Sequence, residues 1–159
     1  MNRRGLTNSL LYQSRLMLDL SEREALPAQQ EACIIGYLVV LNRALLAAVC
    51  EAAEPYGMSL SADAGITSLL DQWHEQRPDA WELKTVIAGM KQPGHWMQQL
   101  HREVTSWAQG TLTSGVKKAD PNRIIMVVDD NQEPTNHYRI WLLELQQWVD
   151  EMRAQSDHS

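Results

Sequence analysis

The amino-acid sequence predicts an all-α fold, an antiparallel helical bundle built around one long central apolar helix, and three observations carry that prediction. The stretch ACIIGYLVVLNRALLAAVC, residues 32–50, gathers its polar and small residues on one narrow line of a helical wheel. Other segments repeat apolar residues at i, i+3, i+4 and i+7. Proline and glycine then fall between those segments, at Pro27, Pro78 and Pro93-Gly94. At 159 residues the chain suits one domain, 1–159, with residues 155–159 expected as an unstructured tail.

The first helix is expected from a Thr7 cap to about Ala25, with Leu6, Leu10, Met17 and Leu18 on one face. Tyr12, Leu16 and Leu20 form a second apolar stripe, so this helix should touch either two neighbours or a second copy of the protein. Pro27 ends it or starts the next helix.

The second helix poses a choice between a membrane span and a core helix. On its wheel Gln29, Ala32, Gly36, Arg43, Ala47, Cys50 and Glu54 share one line, and nearly everything else is apolar. A span would place Arg43 and Asn42 near mid-bilayer, where an arginine costs ~2.5 to 3.5 kcal/mol. The uninterrupted apolar run is also much shorter than the ~20 residues a bilayer requires. A core helix is therefore expected, with its polar strip facing water or a close small-residue contact. Asn42 lies off that strip, beside Ile35, Leu38, Leu45 and Val49, so its amide should be buried and hydrogen-bonded to fix the helix register.

PYGMSLS reads as a turn, after which Ser61 can cap a third helix carrying Ile66, Leu69, Leu70 and Trp73. Beyond Pro78, WELKTVIAGM alternates as a strand would but also suits a helix, and its pattern leaves both open. Trp96, Leu100, Val104 and Trp107 then mark a helix that Gly110 should stop. TLTSGVKKADPNR is loop-like, IIMVV at 124–128 reads as a short extended segment, and DDNQEPTN reads as a turn. In the last helix Tyr138, Trp141, Leu142, Leu145, Trp148 and Met152 lie along one face, with Thr135 or Asn136 as its cap.

Charge and composition narrow the function classes. A net charge of −6, without a lysine- and arginine-rich run, gives no footprint for a phosphate backbone, so nucleic acid is not expected as a partner. The opening MNRRGLTNSLLYQSRLML is interrupted by polar residues where a signal peptide needs an apolar core, and an unprocessed, cytoplasmic protein is expected. Cys33 and Cys50, on one helix, would stand ~25 Å apart, well beyond bridging distance. That agrees with a reducing compartment.

No catalytic pattern emerges. IIMVVDDN resembles the first strand and acidic pair of a response-regulator receiver, but only one helix follows, too little chain for the remaining strands. The five histidines form no HxxxH, HExxH or ExxH pair, and glycine-rich phosphate loops, GxSxG and CxxC are missing. No metal, cofactor or enzymatic role is expected. Six tryptophans with no phenylalanine stand out. Trp96 with Trp107, and Trp141 with Trp148, each share a face, which suits core packing. The functional alternative is an interhelical ligand pocket lined by Asn42, Trp96, Trp107, Trp141 and Trp148.

LLYQSRLMLDL, GYLVVLNRALLAAVCE, PGHWMQQL, NRIIMVV and WLLELQQWVDEMR span almost the whole chain. In that order they resemble an uncharacterised family of roughly 160-residue helical proteins of gammaproteobacteria, a domain of unknown function. The resemblance implies a cytosolic helical protein and brings no activity or site residue with it. The function expected is therefore non-enzymatic: docking of an unknown protein partner, or of a second copy as a homodimer, on the Tyr12, Leu16 and Leu20 stripe. A small-molecule binder using the tryptophan faces is the alternative.

Overall fold

The structure, a computed structural model, describes residues 2–109 and 136–158. Its elements are α1 (Arg3–Arg23), α2 (Pro27–Ala53), α3 (Ile66–Gln76), α4 (Trp81–Lys91), α5 (Trp96–Ala108) and α6 (Asn136–Asp157), with single 3-10 turns at Glu54–Tyr56 and Ala62–Ala64. No strand occurs among the described residues, and the open choice over residues 81–90 resolves as the helix α4. The extended segment expected at 124–128, the Asp129-Asp130 turn and the Gly110 stop lie outside the described residues. Helix α6 continues through Asp157, into the stretch expected to be an unstructured tail.

Helix α1 starts earlier than its sequence suggests, because Asn2 rather than Thr7 is the cap: its side chain accepts from the Gly5 N–H at 2.7 Å. The buried stripe is Thr7, Leu11, Ser14, Leu18 and Ser21, alternating steps of four and three. Leu6 is exposed, and Leu10 and Met17 are only half-buried, which corrects the expected face. The physical reason lies in the hydroxyls. Thr7, Ser14 and Ser21 each donate to a carbonyl of their own helix, Arg3 O, Leu10 O and Leu18 O, so burying them leaves no polar group unpaired. Small side chains every seven residues then let α2 approach closely.

Helix α2 has Pro27 at its start, where the missing N–H costs nothing. Its second half is wrapped completely: every residue from Ala44 to Ala53 is buried. Ala47 and Cys50, placed on the polar strip by the wheel, are therefore in the core, whereas Gln29, Ala32 and Arg43 do face solvent. Alanine and cysteine leave room for neighbours to close over that side. Asn42 is half-buried, where full burial was expected, and its side chain makes no hydrogen bond among the described residues. By length and composition Pro27–Tyr56 could cross a membrane, yet 56% of its most apolar window is buried inside the fold.

Contacts fix the direction of α1 against its neighbours. Met17 reaches Gly36 while Arg3 meets Glu54 at 3.2 Å, so α1 and α2 run oppositely. Arg4 meets Asp157 at 3.1 Å, Asn8 meets Arg153 at 2.8 Å and Asp19 meets Arg139 at 3.0 Å, so α6 also runs opposite to α1. On the far side of α2, α3 to α5 complete the core with Leu69, Trp73, Leu83, Val86, Met97 and Leu100. Helix α3 starts after Gly65, not at Ser61. In the Pro93-Gly94 turn Gly94 takes φ +81°, a conformation glycine adopts freely, and His95 then caps α5 by accepting from the Met97 N–H at 3.2 Å.

Candidate interaction surface

Tyr12, Leu16 and Leu20 project from the side of α1 opposite its buried stripe and are 57%, 43% and 44% exposed. They are held there because Leu11, Ser14 and Leu18 are committed to α2. Two further large apolar side chains, Ile140 and Leu143 on α6, are 49% and 63% exposed.

Leu143 joins the α1 stripe, and the neighbouring contacts locate it. Arg139, Leu143 and Gln146 occupy positions i, i+4 and i+7 and so share one edge of α6. Arg139 bonds Asp19 and Glu22 of α1, at 3.0 and 2.8 Å, while Gln146 shares a groove with Tyr12 and Arg15. Leu143 thus lies between those two anchors, along residues 15–19 of α1. Tyr12, Leu16 and Leu20 on α1 and Leu143 on α6 are thus exposed on two helices that the Arg139 pairs join. The groove beside the outer stripe of α1, open to solvent, is lined by Asn8, Leu11, Tyr12, Arg15 and Gln146.

Polar pairs bound this surface at both ends. At one end the carboxylates of Glu22 and Asp19 hold the Arg139 guanidinium in its charged form, with its pKa raised. At the other, Arg153 makes a bidentate pair with the buried Glu51, 2.7 and 3.1 Å, and also bonds the Asn8 side chain and the Arg4 carbonyl. Between them Arg15 is exposed and has no anionic partner among the described residues. The pairs lock α6 onto α1, so the apolar surface rides on a rigid two-helix layer.

The residues expected around a tryptophan pocket divide between core and surface. Trp96, Trp141 and Trp148 are buried in the core at 8%, 3% and 5% exposure, whereas Trp107, expected in the core, is at the surface with 36%. Trp141 packs edge-on against Tyr138, whose hydroxyl donates to Glu103 at 3.0 Å. The indole N–H groups of Trp73 and Trp148 are buried without a partner among the described residues. No group of three or more His, Cys, Asp or Glu side chains suited to a metal occurs among those residues.

Sequence reasoning missed Leu143, Ile140 and Arg15. Leu143 had a usable signal: a leucine off the Trp141, Leu142 and Leu145 face, on an otherwise polar side of the helix. The pairing of its helix with α1 had none, because it depends on how α1 and α6 dock.

Fold and surface together define a small helical bundle whose described residues expose large apolar side chains on both its first and last helices. The chain belongs to a family of unknown function, DUF6586, whose model matches residues 1–159. Neither the curated proteins nor the solved structures include a match to it.

Proposed function

We propose that this protein is a non-enzymatic helical bundle that works by docking another protein chain onto the face formed by Tyr12, Leu16, Leu20 and Leu143. The observation that carries the reading is the exposure of three large apolar side chains at i, i+4 and i+8 along the outer side of α1, with Leu143 exposed on the helix paired to it. Isolated surface leucines are ordinary, but a connected apolar patch rimmed by charge is what interfaces present. The partner's helix or helix pair would bury the leucines, with Tyr12 as an aromatic anchor. The cytoplasm is the setting this reading assumes, in keeping with the free Cys33 and Cys50. It involves no cofactor and no nucleic acid. The buried half of α2 and the acid excess speak against a membrane role.

The test is a pair of charged variants, Leu16→Glu and Leu20→Glu, compared with the parent chain in size and partner capture, with helicity as a folding control. Both variants are expected to stay folded and lose assembly or capture at least tenfold. Unchanged assembly and capture in folded variants would remove the reading. A small-molecule binder using the tryptophan faces is the second reading, and the buried, unpartnered indole N–H of Trp148 is the observation on its side.

A further inference from the structure

We draw no further inference here: the strongest candidate, the exposed surface patch of Tyr12, Leu16 and Leu20 on the outer side of α1, belongs to the docking reading already described, and nothing in the structure shows what covers it.

Discussion

Gly89 and Gly36 look interchangeable in the sequence, each a glycine inside a helix, yet their surroundings predict different outcomes. A Cβ on Gly89 would lie 2.8 Å from the His95 ring and 2.7 Å from Met97 Sδ, both held in place where α4 meets α5. Gly89→Ala should therefore lose ~1 to 3 kcal/mol to overpacking, despite the better helix former, as read by urea unfolding. On Gly36 the close neighbour among the described residues is the flexible end of Met17, 2.5 Å away, which can swing aside. Gly36→Ala should stay within ~1 kcal/mol of the parent. Glu51 and Arg153 form the deepest ion pair described, their side chains 8% and 16% exposed. Removing Arg153 leaves the buried Glu51 carboxylate with only Arg4, 3.9 Å away, so Arg153→Ala should cost ~1 to 3 kcal/mol. Tyr56 supplies a pH signature. Burial, then its 2.7 Å hydrogen bond to Glu82, push its pKa from 10.0 up to about 12. The fold favours the neutral phenol, so the stabilisation is complete below pH 10 and is lost as pH rises toward about 12. Unfolding measured across that window should show the parent losing stability more steeply than Tyr56→Phe.

At the scale of elements, what was legible depended on whether large side chains marked the buried face. The core stripe of α6, Trp141, Leu142, Leu145, Trp148 and Met152, reads directly from the sequence because bulky residues recur at the helical period, and all five are buried. Helix α1 hides its stripe by using Thr7, Ser14 and Ser21 for three of five buried positions. A hydroxyl bonded to its own helix passes for a surface residue in any hydropathy pattern. Ser14→Leu tests that account: a residue type the pattern would favour should destabilise by ~1 to 3 kcal/mol, because α2 leaves no room for it. A gain in melting temperature would show that closeness is not what the serine provides. The outer stripe of α1 was legible for the opposite reason, since Tyr12, Leu16 and Leu20 cannot share a side with Leu11 and Leu18. Helix α2 was half legible. Its exposed strip survives at Gln29, Ala32 and Arg43, but Ala47 and Cys50 are covered by neighbours that no local pattern announces.

For the whole molecule, the ion pairs along α1 and α6 turn two amphipathic helices into one layer, and that layer carries the apolar face. The central claim is that this face is there to be covered by another chain. The most direct measurement is native mass spectrometry of the gently purified protein beside a Leu16→Glu, Leu143→Glu double variant, both changes lying on exposed positions that leave the core intact. The account predicts a mass above the 18.1 kDa of the single chain for the parent, from a second copy or another bound protein, and the single chain mass for the folded variant. The same added mass on both would contradict it, because assembly would then proceed without the face. A lone chain mass for the parent at every concentration, with no second protein bound, would contradict it equally.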